Sequence, residues 1–126
     1  MSTRAVVKII NGRKSLELYH HCDGYPEGLG CFLLKEMKKV QDEENYNYKC
    51  PEIYLRKWIN EFNFKITLYN HCDIEYYYEF DIKNKKVTCK SVNNWGSKME
   101  VYESFDMEDF YKKNKDKDVL MYYEEE

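Results

Sequence analysis

Arg4-Ala5-Val6-Val7-Lys8-Ile9-Ile10-Asn11-Gly12-Arg13-Lys14-Ser15-Leu16-Glu17-Leu18-Tyr19-His20-His21 opens the chain with a β-branched run, an Asn-Gly pair and a segment that alternates apolar and polar residues. Asn-Gly between two such runs is the strongest short-range hairpin signal, because both residues tolerate the positive φ of a tight two-residue turn. The stretch predicts two antiparallel strands, and so a sheet that the rest of the chain must extend or cover. In the second strand Leu16, Leu18 and His20 share one face, and Glu17, Tyr19 and His21 the other.

Beyond the hairpin, Asp23-Gly24-Tyr25-Pro26-Glu27-Gly28-Leu29-Gly30 reads as a strand-to-helix junction. Leu29, Leu33, Met37 and Val40 then recur at helical spacing with Phe32 and Leu34 beside them, which assigns Lys35, Glu36, Lys38 and Lys39 to the wet face. Gln41 to Lys49 is polar and turn-like. Pro51 suits the first position of a second helix whose stripe is Tyr54, Leu55, Trp58, Ile59 and Phe62. Each helix has one apolar side, so both are expected on the same face of a sheet completed by residues 64–69, 74–82 and 87–92, with Lys83-Asn84-Lys85 as a turn. Met99 to Phe105 reads as a further strand, and Asp106-Met107-Glu108-Asp109 as an N-cap with an acidic first turn, opening a short helix to about residue 114. The predicted class is α+β: a mainly antiparallel β-sheet with two helices packed on one face and a short C-terminal helix.

The chain has 126 residues, enough for one domain (1–126), with an acidic tail from about residue 116 expected to be solvated and frayed. No run approaches the roughly 18 apolar residues of a membrane span, and no N-terminal apolar run suits a signal peptide, so a cytosolic protein without membrane contact is expected. Five cysteines without a C-x-x-C pair read as free thiols. The net charge of −3 is unevenly placed: seven Lys/Arg face four Asp/Glu over 1–41, but four face ten over 100–126. Such an acidic end repels nucleic acid and favours a basic partner.

Leu18-Tyr19-His20-His21-Cys22-Asp23 is echoed by Leu68-Tyr69-Asn70-His71-Cys72-Asp73, and the two copies hold all three histidines. If their strands are neighbours, Tyr19, His21, Tyr69 and His71 form a polar, aromatic patch on the sheet face away from the helices, suited to a ligand or to a second subunit of a homodimer. The plainer alternative is an amphipathic strand entering an Asx turn twice. Zinc on His21, His71, Cys22 and Cys72 is disfavoured, because adjacent residues of a strand point to opposite faces, and no metal or cofactor is expected. A two-histidine phosphoesterase would carry His-x-Thr or His-x-Ser, whereas Cys22, Asp23 and Asp73 stand two residues after the histidines. A hydrolase built on His21, His71 and Asp73, or a thiol nucleophile at Cys22 or Cys72, remains as the enzymatic alternative.

Glycines at a helix start permit close backbone approach, and free N–H groups there can receive an anion, but the junction matches neither the P-loop nor the dinucleotide fingerprint, and Glu27 repels an anion. Asp23 is expected to organise the turn while Tyr25-Pro26 packs over the helix start. Asp23, Tyr25 and Glu27 are candidate contact residues. Ile74, Tyr76, Tyr78, Phe80 and Ile82 read as one core face, leaving Tyr77 among Glu75, Glu79 and Asp81 on an acidic face suited to a basic partner. Asn93-Asn94-Trp95-Gly96 reads as a loop that exposes Trp95.

Ser2-Thr3-Arg4-Ala5, the Asn11-Gly12 hairpin, Tyr19 and above all Asp23 to Gly30 resemble a family of small uncharacterised proteins common in phages and prophages, over about the first 40 residues. A Phe-x-x-Glu/Asp-x-Phe segment, here Phe105 to Phe110, is similar as well. In that family the residue before Asp-Gly-Tyr is often aromatic, so Cys22 departs from the pattern and a metal role for it loses ground. The resemblance implies a mobile-element setting in the host cytoplasm, where small acidic domains without catalytic motifs act by stoichiometric binding to a host defence component. A non-enzymatic inhibitor of a basic defence protein, such as a CRISPR–Cas effector, is the leading expectation. The alternative partner is a nucleotide immune messenger held between subunits, with Tyr19, His21, Tyr25 and Tyr69 stacking on its bases.

Overall fold

A computed structural model describes residues 3–42, 51–61, 64–66, 74–95 and 98–114. Strands β1 (Ala5–Asn11) and β2 (Lys14–His20) form the opening hairpin. Asn11 pairs with Lys14, so the turn is Gly12-Arg13, and the positive φ of 64° falls on Gly12 alone. A left-handed first turn residue fits the II′ turn, which glycine enters without steric cost.

A single π turn (Pro26–Gly30) leads into α1 (Cys31–Asp42), followed by α2 (Pro51–Glu61) and the two-residue β3 (Lys65–Ile66). The chain then returns through β4 (Tyr76–Asp81), β5 (Lys86–Trp95) and β6 (Lys98–Asp106) to α3 (Met107–Asn114). The sheet order is β3-β2-β1-β4-β5-β6. Only the β1–β4 pairing is parallel; the other four are antiparallel. The fold is α+β, as the hydrophobic patterning predicts. The helices gather on one face, where α2 packs on β1 and β2, α1 on β5, and α3 on α1, β5 and β6.

That face holds the main core: Ala5, Val7, Ile9, Leu18, Tyr78, Phe80, Val87 and Cys89 from the sheet meet Leu33, Met37, Tyr54, Trp58 and Met107 from the helices. Trp58 is the hub, with ring centroids 5.3 Å from Tyr54 and 5.2 Å from Phe80. Each such aromatic pair adds roughly 0.5–1.5 kcal/mol beyond its burial. A smaller cluster of Val6, Tyr19, Ile74 and Val92, with Tyr77 against it, lies on the opposite face.

Four sequence expectations need correction. Ile74 precedes β4 and packs on the open face with Val6 rather than with Tyr78, because the strand alternation begins only at Tyr76. Glu36 is not on a wet face: it is 3% exposed and accepts the Trp58 indole N–H at 3.0 Å. Gln41 and Asp42 belong to α1 rather than to a turn. Asn93 to Trp95 form the end of β5, paired with Glu100, Met99 and Lys98, so Trp95 lies in a strand and not in a loop. Cross-strand pairing there overrides the low strand preference of asparagine.

Candidate functional site

The glycine-rich junction is a structural clasp. Asp23 adopts φ 55°, and its carbonyl accepts the Leu29 N–H at 3.0 Å, while Gly28 N–H donates to Tyr25 O at 3.0 Å and Gly24 N–H to Thr3 O at 2.9 Å. The Gly24, Gly28 and Leu29 N–H groups, which an anion at this junction would draw on, are therefore already used. Tyr78, fully buried, donates its hydroxyl to Gly24 O at 2.6 Å, and Tyr25 donates to Asp23 Oδ1 at 3.3 Å. A Cβ on Gly28 would stand 2.8 Å from Asp23 O, and one on Gly24 2.8 Å from Thr3 O, so close backbone approach explains both glycines. Asp23 organises the turn, and buried Pro26 covers the helix start.

On the open sheet face Tyr19 and His21 do meet, with Tyr19 Oη and His21 Nδ1 3.0 Å apart. Tyr19 is only 8% exposed, so its ring is packed away rather than offered to a base. Tyr69 and His71 lie outside the described residues. β3 does pair with β2, Tyr19 opposite Lys65. Tyr77 donates to Glu17 Oε2 at 2.7 Å; burial first, then the Glu17 and Glu79 carboxylates, push its phenol up. The expected acidity of this face is cancelled across the strands: Lys90 sits 2.5 Å from Glu79, Lys8 is in register with Glu17 and Glu79, and Lys86 with Asp81.

Acidity without such compensation appears on the helix side, in a cleft of about 480 Å³ between the π turn, β6 and α3. Its floor is a cross-strand row, Tyr76, Ser91 and Glu103, one residue from each of β4, β5 and β6. The register shifts just beyond Ser91, leaving Tyr102 unopposed and 61% exposed. Phe105 and Phe110 stack at 5.6 Å and 30° to form one wall, and Pro26 forms another. Asp106, Asp109 and Lys113 edge it, giving three carboxylates against one ammonium with Glu103. Asp106 Oδ1 caps α3 by accepting Glu108 N–H at 2.8 Å, so the positive end of that helix faces its own acids. Burial, with the charges of nearby groups, pushes the Tyr76 phenol up to about 12, so it stays a neutral donor or acceptor.

Nothing in this arrangement favours a thiol nucleophile. Burial first and Glu27 second push the Cys31 thiol up to about 12, and burial does the same to Cys89 despite a hydrogen bond with Tyr78 that works the other way. Cys22 is exposed; Cys72 lies outside the described residues. Among the described residues no three His, Cys, Asp or Glu groups converge as a metal site, and no helix is long and apolar enough to cross a membrane.

Of the expected site residues among those described, Tyr19, His21 and Tyr77 share the open face, Asp23, Tyr25 and Glu27 belong to the clasp, and Trp95 ends β5. The cleft residues are not among them, and the sequence signals that reach them are the Phe105 to Phe110 segment and the acidic run over 100–126. No protein-family model, curated protein or solved structure matches the chain.

Proposed function

We propose that the chain is a non-enzymatic binding protein that engages a basic partner stoichiometrically through the acidic, aromatic-walled cleft, and that in a phage or prophage setting this partner is a defence component such as a CRISPR–Cas effector. The cleft carries the proposal: Glu103 and Asp109 make no ion pair among the described residues, in contrast to Glu79 on the opposite face. Uncompensated carboxylates beside exposed aromatic edges steer and hold a positively charged surface. The same carboxylates repel a phosphate-bearing messenger, which sets this reading above a nucleotide sponge.

Equimolar mixtures of the purified chain with a panel of purified defence effectors, separated by size-exclusion chromatography with light scattering, test the proposal. The expected result is a defined complex with a basic effector that weakens as salt rises, since exposed charges are screened beyond about 8 Å at physiological ionic strength. Failure to form a complex with any member of the panel removes the proposal.

A further inference from the structure

We infer that the cleft is a pocket for a guanidinium group, filled by an arginine side chain of the partner; the inference rests on the cleft being the partner site proposed above. Ser91 is the deciding residue. It is 4% exposed and lines the cleft floor, yet its hydroxyl makes no hydrogen bond among the described residues. The hydroxyl is reached from the cleft, where it offers a ligand one donor and two acceptor positions. On one side of it in the sheet stands the Glu103 carboxylate, on the other the neutral Tyr76 phenol.

This floor presents a carboxylate and two hydroxyl acceptors in a row, under a wall made by the stacked Phe105 and Phe110 rings. A guanidinium answers every part of it. Its planar fork donates two parallel hydrogen bonds to a carboxylate and keeps further N–H groups for hydroxyls, and its weakly hydrated face stacks on aromatic rings. An ammonium has three donors, holds its water more strongly and lacks the planar face. A phosphate is repelled, and a bare metal ion finds no three converging ligands among the described residues. Lys113 at the edge lowers the net negative charge without removing it.

The test titrates the isotope-labelled chain with ethylguanidinium and, separately, with butylammonium, following backbone amide shifts. Ethylguanidinium is expected to give saturable shifts at Ser91, Glu103, Phe105 and Phe110, with affinity about tenfold above butylammonium, a difference of about 1.4 kcal/mol. Ser91→Ala, nearly isosteric, and Glu103→Gln, on an exposed side chain, are each expected to weaken it several-fold at unchanged melting temperature. Equal affinity for the two cations, or shifts that Glu103→Gln leaves intact, overturns the pocket. A partner complex that tolerates arginine-to-lysine replacement overturns this inference alone, leaving the binding function. Ethylguanidinium binding with no partner complex supports the pocket and overturns the binding function.

Discussion

Glu36→Ala is expected to lower stability by about 2 kcal/mol at neutral pH, chiefly by stranding a buried indole donor, and Glu36→Gln by less than about 1 kcal/mol. The carboxylate is 3% exposed, accepts Trp58 Nε1 at 3.0 Å, and lies 2.8 Å from Lys39 Nζ and 3.2 Å from Lys57 Nζ. Trp58 is fully buried, and an indole N–H left there without an acceptor costs about 1–3 kcal/mol. Both lysines reach solvent, so each ion pair adds at most about 1 kcal/mol. Glutamine keeps an oxygen for the indole and gives up only the charge. Burial acts to raise the Glu36 pKa, but hydrogen bonds from Lys39 and Trp58 and the charges of Lys57 and Lys39 outweigh it, and the net shift is downward from 4.5. A depressed folded-state pKa contributes stability that is present above the unfolded value and lost as pH falls through the folded one. Urea unfolding followed by tryptophan fluorescence, at pH 7 and in steps below pH 4.5, reads both effects. The gap between the native chain and Glu36→Gln should close in acid. A Glu36→Ala midpoint equal to the native one at pH 7, or a gap that persists through the acid range, refutes the reasoning.

Two further outcomes probe the clasp and the thiols. Gly28→Ala should cost about 1–3 kcal/mol in thermal or urea unfolding, because its Cβ meets the Asp23 carbonyl rather than a side chain that can move away; an unchanged midpoint would mean that the junction relaxes freely. Under native conditions at pH 8, iodoacetamide should label Cys22 while Cys31 and Cys89, both buried with thiols pushed up to about 12, react only after unfolding; mass spectrometry of the labelled peptides separates these cases.

Where local chemistry decides the structure, the sequence already speaks. The hairpin is legible, although its turn pair is Gly12-Arg13 rather than Asn11-Gly12, and Pro51 starts α2 and Asp106 caps α3, each through contacts within a few residues. The burial of Glu36 is not legible, for the opposite reason: its partner Trp58 is 22 residues away, and helical spacing alone sends a carboxylate to solvent. The cleft was illegible on the same ground. Its floor depends on β4, β5 and β6 lying side by side in a definite register, which no periodicity reports. The charge count over 100–126 points to this end of the chain, and the strand and helix start that carry Glu103, Asp106 and Asp109 are legible, but the β4 and β5 partners that complete the cleft are not. The Tyr-x-His-Cys-Asp echo, conspicuous in sequence, gave only the Tyr19–His21 contact, its second copy lying outside the described residues.

The central claim is that the cleft, rather than the open sheet face, meets the partner. Hydrogen exchange of the chain, alone and with the effector it binds, tests this most directly. Protection confined to the β6–α3 junction and the Pro26 turn, centred on residues 103–110, is the predicted result; protection centred on Val6, Tyr19 and Tyr77, with 103–110 unchanged, would contradict it.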